Sequence, residues 1–259
     1  MIKIEKIVPK GETYELTLDE GGEKTRITVH QDVLMRHHLF RKKTLTKETR
    51  RAIEKENATA MLMKKAVDLL ALRDYSLSAM RKKLLAHGNA EAVSETLDTL
   101  QTLGYLDDTR MLERLVEDML EYSLKGPHAI REKAIREGFE ASDADAALAH
   151  VDETTQKERL TRFIEKAHGR YQKDPARRRT VKLIRLAVQN GYDAELASSA
   201  VKRHVAESKD EAMEERLLEK RVDTLKGKYD LDDYKSRSRL IQKLMREGFE
   251  YESIIDRLK

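Results

Sequence analysis

The chain has no cysteine, no tryptophan, only three prolines and only four phenylalanines in 259 residues. Without cysteine there are no disulfides and no thiolate metal sites, which agrees with a reducing compartment. No apolar run approaches the ~20 residues that cross a bilayer, and the first residues contain no apolar signal core. A soluble, cytoplasmic protein that avoids the membrane is expected. The signatures of catalysis are also missing. The eight histidines are scattered, no His-Glu-x-x-His occurs, no serine sits in a nucleophile elbow, and Gly21-Gly22 runs into Glu23-Lys24-Thr25 without the spacing of a phosphate loop. No enzyme, cofactor or metal is expected. Nor is there a large net charge: 51 basic against 47 acidic residues leave +4, so the placement of charge matters more than its sum.

What is present is a repeat. Two or more apolar residues at helical spacing precede a glycine, usually followed by an aromatic, and then a second apolar-periodic run begins. The pattern stands at Leu84-Leu85 before Gly88, Ala134-Ile135 before Gly138-Phe139, Ala187-Val188 before Gly191-Tyr192, and Leu244-Met245 before Gly248-Phe249. Such a period marks a tandem helical array. Counting back from each glycine, the third, fourth and eighth positions are apolar or alanine in all four copies, which predicts one buried helical face. The glycine predicts a left-handed C-cap, with the aromatic packing back on the last turn. A third helix follows each glycine and a longer one precedes the glycine-ended helix, so the unit reads as a three-helix bundle. Expected helices are 61–73, 77–87 and 90–103; 109–124, 127–137 and 141–150; 154–171, 175–190 and 193–206; 209–227, 232–247 and 250–258. Pro127 and Pro175 fall where helices start and a missing N–H is harmless.

The first sixty residues follow another rule. Ile2, Ile4 and, less regularly, Ile7 alternate with charges, Tyr14, Leu16 and Leu18 alternate, Asp19-Glu20-Gly21-Gly22 makes a turn, and Arg26-Ile27-Thr28-Val29 continues in β-branched residues. An antiparallel meander is expected, then one or two helical turns at 31–38 and a linking helix at 46–56. The fold class is therefore mainly α: tandem three-helix repeats in an elongated, curved array with a small N-terminal antiparallel β-segment. Five modules are expected, 1–60, 61–106, 107–153, 154–206 and 207–259.

Basic residues cluster at Arg41, Lys42 and Lys43 and, on or just before the middle helix of a repeat, at Arg81, Lys82 and Lys83, at Arg177, Arg178 and Arg179 with Lys182 and Arg185, and at Lys235, Arg237 and Arg239 with Lys243. Stacked repeats could align them into a stripe that follows phosphates; the competing reading is an ordinary solvated helix face. Reversing Arg177, Arg178, Arg179 and Lys182 is expected to leave folding intact. Arg73 and Tyr75 are either a packed corner or a binding surface, and packing is the simpler reading. Asp107-Asp108 reads as a helix N-terminus rather than a paired-carboxylate site, Ser76 as an N-cap, and the methionines as core fillers.

These residues carry a resemblance. Ala66-Val67-Asp68-Leu69-Leu70-Ala71-Leu72-Arg73-Asp74-Tyr75-Ser76 leading to Lys83-Leu84 and Gly88, then Leu103-Gly104-Tyr105-Leu106-Asp107-Asp108, then Lys125-Gly126-Pro127 with Ile130 and Gly138-Phe139, resemble the RecX family of bacterial recombination regulators. The match covers the first three units well and the fourth more loosely; the β-rich start and the fourth unit resemble the longer form of the family. The chain departs from the pattern at Ala79-Met80, where the family usually has Glu-Leu, at Met111-Leu112, where an aromatic-alanine pair is common, and at Asn190-Gly191-Tyr192. The resemblance implies a non-enzymatic modulator in DNA repair, homologous recombination and the SOS response. Such a protein lies along the RecA–single-stranded DNA filament and disfavours ATP hydrolysis, strand exchange and coprotease activity. Its partners would be the RecA filament and single-stranded DNA, with duplex DNA a further candidate, and it would act as a monomer. Contact residues would come from Arg73, Tyr75, Arg81, Lys82, Lys83, Lys125, Arg177, Arg178, Arg179, Lys182, Arg185, Arg237 and Arg239. A general nucleic-acid-binding module and a generic helical scaffold are the alternatives.

Overall fold

Alternating apolar residues at the N-terminus form a three-stranded meander, β1 (Ile2–Lys10), β2 (Thr13–Glu20) and β3 (Glu23–His30), in a computed structural model that describes all of residues 1–259. Ile7 lies opposite Leu16 and Leu16 opposite Ile27, while a bulge between Ile4 and Lys6 shifts the register. The bulge supplies the extra residue that makes the Ile4-to-Ile7 spacing irregular. A two-residue strand, β4 (Thr44–Leu45), pairs with Ile2 and Lys3 and completes an antiparallel sheet of order β3-β2-β1-β4. Its shortness left no alternation to read. Helix α1 (Gln31–Arg36) follows β3, and Leu16, Leu18, Val29, Leu34, Leu39 and Ile53 form the core beneath the sheet.

Ile53 belongs to α2 (Lys47–Leu70), a single helix of 24 residues where two helices were expected, 46–56 and 61–73. The segment Asn57-Ala58-Thr59-Ala60 contains neither glycine nor proline, so nothing interrupts the backbone ladder. At about 1.5 Å per residue the helix is long enough to serve two cores. Its first half carries Ile53 under the sheet, and its second half carries Leu62 and Ala66 in the core of the first repeat. Asn57 joins the two parts, donating to the Thr28 carbonyl at 2.8 Å and accepting from the His30 N–H at 2.7 Å.

The remaining helices fall close to expectation: α3 (Leu77–Leu84) and α4 (Ala90–Thr102); α5 (Asp108–Tyr122), α6 (Pro127–Arg136) and α7 (Ala141–Leu148); α8 (Glu153–His168), α9 (Ala176–Gln189) and α10 (Ala194–Glu207); α11 (Glu211–Lys226), α12 (Tyr234–Glu247) and α13 (Tyr251–Arg257). Residues 169–171 add one 3-10 turn after α8. Separate apolar cores form around Met80, Leu84, Val93 and Leu97, around Leu160, Leu183, Ala187 and Val201, and around Leu218, Leu240, Leu244 and Ile254. Two compact units result, Met1–Leu112 with Arg136–Phe139, and Glu113–Ile135 with Glu140–Lys259. No helix is long and apolar enough to cross a membrane.

Two expectations about the glycines need correction. Gly138, Gly191 and Gly248 do adopt the left-handed conformation, at φ of 98, 88 and 101°, but Gly88 does not. A Cβ on Gly88 would lie 2.7 Å from Leu62 Cδ1, so close approach to α2 is what a side chain would disturb there. Asn89, where the other copies have an aromatic, instead caps α4 by accepting from the Ala92 N–H at 2.9 Å. The second correction concerns the buried face. The fourth and eighth positions before each glycine are fully buried, but the third is exposed in every repeat: Leu85, Ile135, Val188 and Met245. Adjacent helical residues lie about 100° apart around the axis, and the core covers only one of the two.

Candidate functional site

The glycines that end α6, α9 and α12 share a second property: each abuts the first turn of the middle helix of the preceding repeat. A Cβ on Gly138 would lie 2.7 Å from Ser76 Oγ, one on Gly191 2.3 Å from the Ala129 nitrogen, and one on Gly248 2.9 Å from the Arg178 nitrogen. In these joints the C-terminal end of one helix meets the N-terminal end of another, an arrangement favoured by the opposite partial charges of the two ends. At the second joint the Gly126 N–H donates to the Asn190 carbonyl at 2.8 Å and the His128 N–H to the Gly191 carbonyl at 3.1 Å. At the first, the Ser76 hydroxyl donates to the Glu137 carbonyl at 2.5 Å.

A carboxylate from the first helix of the following repeat completes two of the joints. Asp108 accepts from the Leu77 N–H at 2.7 Å, and Glu214 accepts from the Ala176 N–H at 3.0 Å. Helix α6 begins instead with Pro127, which has no N–H to satisfy. Asp107 accepts from the Arg110 N–H at 3.0 Å. The Asp107-Asp108 pair is thus helix-end equipment, as its sequence context indicates.

Several of the thirteen residues proposed as contacts are engaged in these joints. Arg73 stacks 4.2 Å above the Tyr75 ring and pairs with Glu137 at 3.1 Å, while Tyr75 is buried in the first repeat's core. The hydrogen bond to Tyr75, and then that to Glu137, holds the Arg73 guanidinium above its ordinary pKa. Lys125 donates to Asn190 Oδ1 at 2.9 Å. Arg179 is only 5% exposed; it pairs with Glu214 at 2.9 Å and donates to the Asp174 carbonyl at 3.0 Å. It is turned inward, away from any ligand on the surface. Lys182 pairs with Asp174 at 2.6 Å, Arg178 pairs with the same carboxylate at 3.5 Å, and Arg237 donates to the Leu258 carbonyl at 3.1 Å. The rest, Arg81, Lys82, Lys83, Arg177, Arg185 and Arg239, are exposed and pair with no carboxylate.

Two clefts in the second unit gather cations. One, of about 970 Å³, is lined by Arg177 and Arg178 from α9 and by Lys243 and Arg246 from α12, together with Val181, Met245 and Glu247. The joint at Gly248 brings these two basic clusters, far apart in sequence, to one place. The other, of about 470 Å³, is lined by Lys125, Arg159, Arg162, Lys166 and Arg170, with Tyr122. Arg159 is buried and donates to the carbonyls of Leu120, Ser123 and Lys125, capping the C-terminal end of α5. Arg162, Lys166 and Arg170 are exposed and are not contiguous in sequence; their spacing of four along α8 and into the 3-10 turn that follows it is the available signal.

Two of the scattered histidines also meet. His168 Nδ1 lies 2.7 Å from His204 Nε2, with the rings edge to face and Arg179 beside them. Burial, then His204 and Arg179, push the His168 imidazole below its ordinary pKa.

No protein-family model matches the chain. Individual relatives do. The chain is 26% identical over 245 residues to the regulatory protein RecX of Listeria monocytogenes, covering 94% of this chain and 90% of the relative. It is 24% identical over 262 residues to that of Streptococcus thermophilus, covering 100% and 99%, and 26% identical over 261 residues to that of Staphylococcus carnosus, covering 99% and 96%. Among solved structures, a crystal structure of a regulatory protein RecX superimposes with a TM-score of 0.58 at 27% identity, over 76% of this chain and 97% of the other. RecX from Lactobacillus salivarius shares the fold, with a TM-score of 0.52 at 21% identity, over 57% and 97%. Similarity along nearly the whole sequence to several regulators of one name, together with a shared fold, leads to one conclusion: the chain is similar over its full length to the regulatory proteins RecX and has their fold.

Proposed function

We propose that this protein is a non-enzymatic regulator that binds the RecA–single-stranded DNA filament and restrains its ATP hydrolysis, strand exchange and coprotease activity. The observation that carries this reading is the near-full-length similarity to proteins named regulatory protein RecX. The architecture supports it. Jointed repeats suit a partner met at several points, because each added contact acts at high effective concentration. The cations left without carboxylate partners, Arg81, Lys82, Lys83, Arg177, Arg185 and Arg239, suit a partner rich in carboxylates or phosphates. The modules 1–60, 61–106, 107–153, 154–206 and 207–259 are proposed as its functional divisions, acting in the cytoplasm on a monomeric chain.

The unpaired cations favour a second reading, direct binding of single-stranded DNA with no need of a recombinase. Binding of that kind weakens steeply with salt and leaves RecA unaffected at equal DNA coverage. Measuring RecA's single-stranded-DNA-dependent ATPase as the protein is added, at concentrations below those that cover the free DNA, separates the two readings.

A further inference from the structure

The apolar residue three positions before each repeat glycine lies outside the buried cores. Leu85 is 48% exposed, Ile135 40%, Val188 42% and Met245 36%, whereas their neighbours Leu84, Ala134, Ala187 and Leu244 fill the cores. Other exposed positions of the same helices vary and are mostly polar or charged: Lys82, Glu132, Arg185 and Gln242 lie six before the glycine. A single exposed aliphatic side chain is ordinary. The same address kept apolar in all four repeats, where core packing does not ask for it, is not.

The fold fixes that address. The glycine three residues later is locked against the preceding repeat at Gly138, Gly191 and Gly248, so Ile135, Val188 and Met245 each sit beside a close backbone contact that holds them in place. The surroundings of Met245 show what such a point would accept. With Val181 it lines the 970 Å³ cleft, together with the cations Arg177, Arg178, Lys243 and Arg246 and with Glu247, a carboxylate already paired with Arg221 at 2.6 Å. An apolar side chain flanked by carboxylates fits there. A nucleic-acid backbone presents phosphates and leaves the apolar side chains uncovered.

We infer that Leu85, Ile135, Val188 and Met245 are equivalent contact points, one per repeat, for a protein partner that is itself a polymer of identical subunits. Each subunit offers an apolar group with an acidic surround. Equivalent side chains at equivalent addresses need equivalent acceptors, and a polymer presents the same acceptor at each step, whereas a single globular partner presents a different surface each time. The inference deepens the filament reading above and rests on it for its probe.

The test substitutes Leu85→Gln, Ile135→Gln, Val188→Gln and Met245→Gln, singly and together, and measures affinity for the RecA–single-stranded DNA filament. Each single variant is expected to bind about three- to tenfold more weakly. The losses should multiply, so that the fourfold variant binds more than about 100-fold more weakly. Thermal midpoints should be unchanged, since the side chains are exposed; an alanine set with the same expected losses replaces the glutamine set if they are not. Unsubstituted protein that binds, with a fourfold variant within about twofold of it, overturns the contact residues and leaves the filament reading standing. A loss confined to one position overturns the repeating contact. No binding by the unsubstituted protein overturns the filament reading and the assignment of the partner with it.

Discussion

Arg177 and Arg179 are two residues apart in one basic run, yet their surroundings give them opposite tasks. Arg177 is exposed and unpaired, while Arg179 is buried against Glu214 and the Asp174 carbonyl. Removing one partner of a buried ion pair leaves the other charge without compensation, so Arg179→Ala is expected to cost about 3 kcal/mol or more in denaturant unfolding. Arg177→Ala should stay within about 0.5 kcal/mol of the unsubstituted protein. Reversing the whole run, including Arg179, is therefore expected to destabilise the fold, contrary to what its sequence alone suggests; a charge-reversal test of the surface must spare Arg179. His168 beside it sets a pH dependence. Its folded pKa lies below the ordinary 6.5 because burial, His204 and Arg179 disfavour the imidazolium. The unfolded chain then binds the proton more readily, so stability falls as pH drops below 6.5, and above that value the group contributes no slope. The thermal midpoint of the unsubstituted protein should fall more between neutral pH and pH about 5.5 than that of His168→Gln, measured in parallel. Equal slopes would remove His168 from the account.

At the scale of elements, the joints between repeats depend on four glycines, Gly138, Gly191 and Gly248 at helix ends and Gly126, where a Cβ would lie 2.3 Å from the Gly191 carbonyl oxygen. Gly248 combines a φ of 101° with a would-be Cβ 2.9 Å from backbone and side-chain atoms of Arg178. Valine there faces both an unfavourable left-handed backbone and a collision with α9, and Gly248→Val should lose about 2 kcal/mol or more. Gly169 is the contrast: its backbone is right-handed and nothing lies within 4 Å of a Cβ. Gly169→Ala is expected to be neutral or to stabilise by up to about 1 kcal/mol. Similar melting of the two variants would contradict the joint. The helices were legible because each writes its own periodicity, caps and stop signals, as Thr46, Asn89 and Asp193 do in capping α2, α4 and α10. The exposed third position was not legible, because adjacent apolar residues look alike in sequence and only the neighbouring helices decide which is covered. The continuity of α2 through Asn57-Ala58-Thr59-Ala60 was missed for a related reason. Its two halves serve different cores, and that partition read as a boundary although no residue breaks the helix.

For the molecule as a whole, the sequence carried the repeat and the family resemblance, while the functional surface was only partly readable. Basic runs can be seen in sequence, but which cations remain free depends on partners elsewhere in the chain: Glu137 for Arg73, Asn190 for Lys125, Glu214 for Arg179. The cleft that joins Arg177 and Arg178 to Lys243 and Arg246 exists only because Gly248 lets α12 meet α9. Regulation of RecA is the central claim, and its most direct test is the single-stranded-DNA-dependent ATPase of RecA titrated with this protein at fixed DNA. A jointed set of contacts on the filament predicts that ATP turnover falls as the protein is added, at concentrations too low for it to coat free DNA. Unchanged turnover at saturating protein, or a decline only once free DNA is covered, would contradict it.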